Sequence, residues 1–517
     1  MAHHNSDRMV ASLPLRPDFH DALAEWMERA PWLALSAAAH VVLALVLMAI
    51  PWEQLRSESE RVFVAEVLAP EPEVFDDPPL EEPPELPEVT ELVEPQLVDA
   101  NDPTEPTDVA DVSDERPLGE LDAHSDATFE APSFNPVIGV GGGAGSKFGS
   151  RFGDGRGKRG GGGVGTEQSL RDALAWLRAH QAPDGSWDAD GFAAQCGRLG
   201  ATRCADPGEG AHDVGVTALA LLAFLGDGHT TLGGVHRDVV ARGVRWLREQ
   251  QDPDSGLVGA AVGHAFLYDH AIATLALCEA YYFSRSPSLK RPAQEAANYL
   301  SRARNRYGVW RYDVPPSGQN DTSVTGWCLF ALQSARESGL AVDDEAFVAT
   351  RNWLDEVTDP RTGRCGYDSI GGLSSRVPRV NDVFPPEKGE AMTAVALLCR
   401  FFLGEDPAHS SAMRKHAELL RAKPPRWDPS DRSIDVYYWY YGTYAMYQMG
   451  GSKDWEQWNR AMKSAVVDSQ RKDGDERGSW DAAPDAWGHS GGRVYTTAMM
   501  SLCLEVYFRY SRVLGAR

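Results

Sequence analysis

Three aspartates stand in the same relation to three apolar runs. Asp213 opens DVGVTALALLAFLG, Asp269 precedes HAIATLALCEAYYF, and Asp321 precedes TSVTGWCLFALQSA. A carboxylate there can accept from the free N–H groups of a helix that begins at that point, a cap worth about 1 kcal/mol. If such helices converge, it can instead join a ring of acids that donate and accept protons, with His212 and His270 as partners. Glu390, at the end of the Glu387 to Glu390 segment, Asp435 and Arg493 stand in comparable places before later apolar runs. Asp269, His270, Asp321 and Glu390 are the candidate catalytic groups, and Asp213 and Arg493 are candidate binding groups. Tyr437, Tyr438, Trp439 and Tyr441 supply aromatic faces and hydroxyls suited to sugar stacking, quaternary ammonium binding or carbocation stabilisation. The same run suits a packed core. Glu279 and Glu505 lie deeper in apolar runs, where a carboxylate needs an Arg or Tyr partner or a raised pKa.

These residues need helices to place them. Leu170, Leu174, Leu177 and Gln181 are spaced as one face of an amphipathic helix, and the same offsets recur at Val240, Val244, Leu247, Gln251 and at Ala293, Ala297, Leu300, Arg304. Trp176, Trp246, Tyr299 and Trp353 each stand one residue before the face leucine. Glycine turns follow: Asp184-Gly185-Ser186-Trp187, Asp254-Ser255-Gly256, Gly308-Val309-Trp310 and Gly478-Ser479-Trp480. Between these units lie runs apolar nearly all round, as expected of helices buried on both sides. Six amphipathic helices alternating with six buried ones predict an all-α fold, an (α/α)6 toroid over residues 166–517, with an open superhelix of helix pairs as the alternative. In a toroid the inner helices all run one way, so the candidate residues gather at one mouth.

The recurring Gln, Gly and Trp resemble the QW motifs of the squalene cyclase and protein prenyltransferase β-subunit superfamily, over about two thirds of the chain. The resemblance implies the terpenoid-cyclase type of toroid. It does not carry the known chemistries with it. GQNDTSVTGW offers Asp321 alone where class II terpene cyclases hold Asp-x-Asp-Asp, no Asp-x-Cys opens an inner helix as in the zinc-dependent prenyltransferases, and a thioester Gly-Cys-Gly-Glu-Gln is absent.

Of seven cysteines, Cys278, Cys328, Cys399 and Cys503 fall in apolar runs and read as buried thiols. Cys196 and Cys204 share a polar loop, where an oxidising compartment would permit a disulfide and a reducing one two free thiols. No His or Cys stands at zinc spacing from them, so neither a metal nor another cofactor is expected.

Towards the N-terminus the text changes. WLALSAAAHVVLALVLMAIPW, residues 32–52, is uncharged, bounded by tryptophans and long enough for a bilayer's hydrocarbon core, which predicts one membrane helix after a cytoplasmic tail, 1–31. Residues 53–138 form an acidic, proline-rich spacer that cannot bury enough apolar surface to fold, and 139–165 a glycine-rich hinge. Ser36 and His40 lie on one face of the span and resemble the Ser-x-x-x-His face of TonB-type energy transducers. That resemblance implies a proton-channel-type membrane complex as partner.

The formal charge of −25 excludes nucleic acid, because phosphate binding needs clustered Lys and Arg. The expectation is a single-pass protein of a bacterial inner membrane, cytoplasmic at its N-terminus, whose periplasmic toroid binds an unknown ligand or envelope protein. The alternatives are an enzyme, terpene cyclase-like or a carbohydrate-active hydrolase or lyase, working through the mouth carboxylates, and a TonB-like transducer.

Overall fold

The computed structural model describes residues 40–42, 45, 48, 162–197, 203–263, 265–374 and 378–510. The chain divides into two units, Met1–Glu105 and Pro106–Arg517. In the first unit the described residues, 40–42, Leu45 and Met48, are helical and exposed.

Among the described residues no helix is long and apolar enough to cross a membrane. This overturns the expected placement as a single-pass inner-membrane protein with a periplasmic toroid, since a span needs about 20 apolar residues in one helix. Most of 32–52, including Ser36, lies outside the described residues, as do 1–31, the 53–138 spacer and residues 139–161 of the hinge.

The second unit is all-helical, with no strand among the described residues beyond two isolated bridges, Gln251 with Val258 and Thr358 with Cys365. Its helices are α1 Val164–Ala179, α2 Asp213–Gly226, α3 Arg237–Glu249, α4 Phe266–Ser284, α5 Pro287–Ala303, α6 Thr322–Glu337, α7 Glu345–Val357, the short α8 Pro378–Val383, α9 Ala391–Phe402, α10 Ser411–Ala422, α11 Val436–Met449, α12 Gln457–Val467 and α13 Gly488–Leu504. Helix α1 begins inside the stretch read as hinge, because the Thr166 hydroxyl donates to the Gly163 carbonyl and accepts from the Gly163 N–H, fixing a first turn there.

The inner helices pack in sequence, α2 on α4, α4 on α6, α6 on α9, α9 on α11 and α11 on α13; α13 then packs back on α2. That last contact closes the ring and removes the open superhelix. The outer helices α1, α3, α5, α7, α10 and α12 lie against this ring, α3 between α2 and α4, and α1 across the closure between α13 and α2.

The repeated turn explains its own residues. The Gln181 amide donates to Gly185 O in its own turn at 2.9 Å and to Val239 O of the next outer helix at 3.0 Å. Gln251 does the same to Gly256 O and Pro292 O, and Gln470 to Gly478 O and Ser169 O. Each such turn glycine has positive φ and lies against the neighbouring outer helix: a Cβ at Gly185 would meet Arg242 O at 2.5 Å, and one at Gly478 would meet Asp172 O at 2.1 Å. Only glycine satisfies both demands. The indoles of Trp187, Trp310 and Trp480 donate to carbonyls near the end of the preceding outer helix, Leu177, Leu300 and Val466. Gln470 and Gly478 reach α1, so the device that joins successive units also joins the last to the first.

At the end of the ring away from the inner N-termini, the two deep glutamates find the partner their burial demands. Arg509 donates to both oxygens of Glu279 at 3.0 Å, to Glu505 at 2.7 Å and to Leu222 O at 2.7 Å. All three charged side chains are buried, and the cluster ties α2, α4 and the end of α13 together.

Candidate functional site

The N-terminal ends of all six inner helices line a cavity of about 1190 Å3. Its walls are aromatic and aliphatic: Phe266, Tyr268, Tyr312, Trp327, Tyr367, Tyr437, Trp487 and Tyr495 surround it, with Val216, Leu219, Ile272 and Met392. Acids reach it as well, from Asp206, Glu209, Asp269, Asp435 and Asp485, while among the described residues that line it none is Lys or Arg.

One pair on this wall can move a proton. His212 Nδ1 lies 3.1 Å from Asp269 Oδ2 and 3.3 Å from Oδ1, with both residues lining the cavity. Burial pushes the Asp269 carboxyl up, against the pull of His212. The hydrogen bond to Asp269 in turn holds His212 above the ordinary imidazole value. With Nδ1 committed to Asp269, Nε2 is the nitrogen left to exchange a proton with a ligand. Asp269 lies within the first turn of α4 and forms no cap. The chain admits it through Gly215 of α2, where a Cβ would stand 2.1 Å from Asp269 Oδ1. Gly215→Ala is therefore expected to push the carboxylate off His212 and lower the His212 titration midpoint, measured by NMR against pH. Stability should fall by about 1–2 kcal/mol, because displacing a buried carboxylate from its partner outweighs the gain of up to about 1 kcal/mol from alanine as the better helix former.

The other predicted residues separate into distinct places. Asp213 does not cap α2; its carboxylate accepts from Ala189 N–H at 2.8 Å, and burial pushes it up to about 6. Asp435 lines the cavity and caps α11 by accepting from Tyr438 N–H at 2.9 Å. His270 lies off the cavity wall: Nδ1 accepts from Val258 N–H at 3.0 Å, Nε2 faces Ala296 O at 3.1 Å, and burial pushes it down to about 3, so it stays neutral. Glu390 is also off the wall, between Arg364 (2.8 Å) and Lys423 (2.7 Å). Burial pushes its carboxyl up, but the two cations outweigh this and hold it below its ordinary value, which suits an ion pair better than an acid. Arg493 is buried in a separate cluster with Asp206, Asp481 and Glu476 at 2.8 to 3.1 Å, binding the 203–209 loop to the last unit. Of the aromatic run, Tyr437 is on the wall and donates to Ser323 O at 3.1 Å. Tyr438 donates to Lys423 O, Trp439 packs on Trp427, and Tyr441 packs on Trp327 and Phe330.

Asp321 is fully buried and does cap: Oδ1 accepts from Val324 N–H at 2.9 Å and from the Ser323 hydroxyl at 2.8 Å, while Oδ2 has no hydrogen-bond partner. Burial pushes it up to about 6. The native state thus holds a proton between about pH 4 and 6 that the unfolded chain has lost, so stability falls as pH rises through that window. The rise from 3.8 to about 6 corresponds to about 3 kcal/mol. Asp321→Asn, which can keep the cap, is expected to recover up to that amount above pH 6 and nothing below about pH 4, read from chemical denaturation across pH.

Tyr268, Tyr312 and Tyr367 were not singled out from the sequence. Tyr268 pairs with the Ser323 hydroxyl and Tyr312 with Tyr367. Burial pushes the Tyr268 and Tyr312 phenols up, so they remain donors. A register signal existed: Tyr312 and Tyr367 each stand two residues past the turn position filled by Trp310 and Cys365.

No family model matches the sequence, and no curated protein matches it. Solved structures that resemble it include a novel alpha-amylase from Clostridium perfringens (11% identity, 66% of this chain and 97% of that one, TM-score 0.44). Others are cellobiose 2-epimerase from Bacillus thermoamylovorans B4167 (13%, 66% and 98%, TM-score 0.46) and a type II terpene cyclase from Scytonema (13%, 66% and 97%, TM-score 0.40). Likenesses of this degree transfer no chemistry, and the function rests on the cavity itself.

Proposed function

We propose that the chain is an enzyme in which the His212–Asp269 pair transfers a proton to or from a neutral, largely apolar ligand held in the ring's central cavity. The observation that carries this reading is a hydrogen-bonded acid–base pair, His212 with Asp269, on the wall of an aromatic cavity. The pair keeps its proton to higher pH than a free imidazole, so it can act as an acid, and once discharged it can take a proton back. Carboxylates on the wall such as Asp435 and Asp485 disfavour anionic substrates and favour positive charge that develops on a ligand. Aromatic faces such as Trp327, Tyr437 and Phe266 stabilise that charge further. Protonation of an alkene, as at the start of a cation cyclisation or isomerisation, fits these demands; the acid is then His212–Asp269 and not the Asp-x-Asp-Asp element the sequence lacks.

A second reading, a carbohydrate ligand, is favoured by the hydroxyl cluster of Tyr268, Tyr312, Ser323 and Tyr367 on one side of the wall. Incubation of the full chain in D2O with uncharged isoprenoid polyenes and, separately, with neutral oligosaccharides separates the two by mass spectrometry. A product carrying one new carbon-bound deuterium supports alkene protonation, and cleaved or epimerised sugar supports the second reading. A ligand that binds and returns unchanged from both sets would make the toroid a binding module.

A further inference from the structure

A second cluster lies outside the cavity, at the seam where the first helix pair of the ring meets the last. His180 follows α1, Cys196 and Cys204 belong to the loop between α1 and α2, and Asp475 lies in the loop between α12 and α13. His180 Nε2 is 3.4 Å from Cys196 Sγ and 3.4 Å from Cys204 Sγ. The three ligand atoms all lie within 4.8 Å of one another, and both cysteines are free thiols. The far ring nitrogen, Nδ1, lies 2.8 Å from Trp176 O. As Nδ1–H donating to that carbonyl, it places the lone pair on Nε2, facing the two sulfurs. Metal-bound histidines are oriented by the same arrangement, with the remote N–H held by a backbone carbonyl or carboxylate.

The spacing decides between uses of the thiols. Around a tetrahedral zinc, with Zn–S about 2.3 Å and Zn–N about 2.0 Å, the edge between a sulfur and a nitrogen ligand is about 3.5 Å. Both His180–sulfur distances match that edge. A disulfide alone gives no reason for an imidazole lone pair to face both sulfurs. Other contacts fit a metal too: Cys204 N–H donates to Cys196 Sγ at 3.2 Å, and Asp475 Oδ2 accepts from Gly197 N–H at 3.0 Å, one residue from a ligand. His180 and Cys204 are buried, and the His180 ring stacks on Trp176 with centroids 4.1 Å apart, so the pocket is preformed and shielded.

We propose that His180, Cys196 and Cys204 bind a zinc-class divalent cation, with water at the fourth position, and that this ion fastens the seam of the ring. Soft thiolates with an imidazole select zinc over magnesium or calcium. In binding, two S–H bonds are lost, two metal–sulfur bonds form, the imidazole adds as a neutral ligand, and two protons pass to solvent as metal-bound waters leave. The loop so held continues through Asp206 and Glu209 to His212, so the ion also steadies one wall of the cavity.

The test uses the full chain, purified under reducing conditions, with zinc measured by elemental mass spectrometry and cobalt(II) titrated as an optical substitute. The expected result is one zinc per chain, two protons released per ion, and a cobalt spectrum with a thiolate charge-transfer band and strong tetrahedral d–d bands. His180→Gln and Cys204→Ser should each weaken cobalt binding by at least about tenfold. A reduced, folded wild-type chain that gives no thiolate–cobalt band overturns the proposal without needing any variant. So does an isolated chain whose mass and thiol count show a Cys196–Cys204 disulfide and which takes up no metal after reduction, and so does undiminished binding in both variants.

Discussion

Replacing Arg509 with leucine is expected to destabilise the ring by about 3–5 kcal/mol, measured as a shift in the urea unfolding midpoint at neutral pH. The guanidinium is 1% exposed and is the ion-pair partner of Glu279 and Glu505, each 0% exposed. Removing it leaves two buried carboxylates without their cation, Glu279 keeping the Tyr510 hydroxyl as a donor, and takes a donor from Leu222 O. The asymmetry matters more than the loss of one ion pair. Breaking a buried pair leaves charge uncompensated, whereas replacing the whole set with apolar groups can be neutral or stabilising. The triple replacement Glu279→Met, Glu505→Leu, Arg509→Leu should therefore recover most of what Arg509→Leu loses. If the single variant were as stable as wild type, the cluster would not be fastening α2, α4 and α13.

Asp269→Asn is expected to leave the fold intact and to lower turnover by about two to four orders of magnitude, the range for loss of a positioned acid or base. Two readings besides turnover identify the cause. With the carboxylate gone, His212 loses the bond that holds its titration high, so its midpoint should fall. The stability linked to that protonation should go as well. In the wild type it is fully present below about pH 6.5, and it is lost as pH rises through the higher folded value. In the variant this part of the pH dependence should flatten. Gly215→Ala moves the same carboxylate without removing it, so it should give a smaller effect in the same direction. A variant with normal turnover and a normal His212 titration would return Asp269 to a purely structural role.

The architecture was legible because it is written in local, repeated patterns. Leu170, Leu174, Leu177 and Gln181 mark one helix face, and the recurrence of that face at Val240 and Ala293 marks the alternation. A buried glutamate needs a partner in any fold, so Glu279 and Glu505 could be expected to find an arginine before the arginine was known. The site was less legible. Position before an apolar run made Asp213, Asp269, Asp321 and Asp435 look alike, yet two are caps, one holds a neighbouring loop, and only Asp269 faces a histidine in the cavity. His270, next to Asp269 in sequence, is turned off the cavity wall towards Val258 and Ala296, because successive helix residues point about 100° apart.

What the residues determined alone was periodicity: helix faces, turn glycines, and the alternation of amphipathic helices with six apolar ones; the contact of α13 on α2 that closes the ring was decided in three dimensions. Pairings between distant residues were settled only in three dimensions. His212 meets Asp269 across 57 positions, and Cys204 meets Asp475 across 271. A repeat pattern specifies how each unit packs on the next, and carries no term for which side chains from different units come to share a wall or a seam. Ring closure sets those distances, because it brings the first helix pair of the ring against the last.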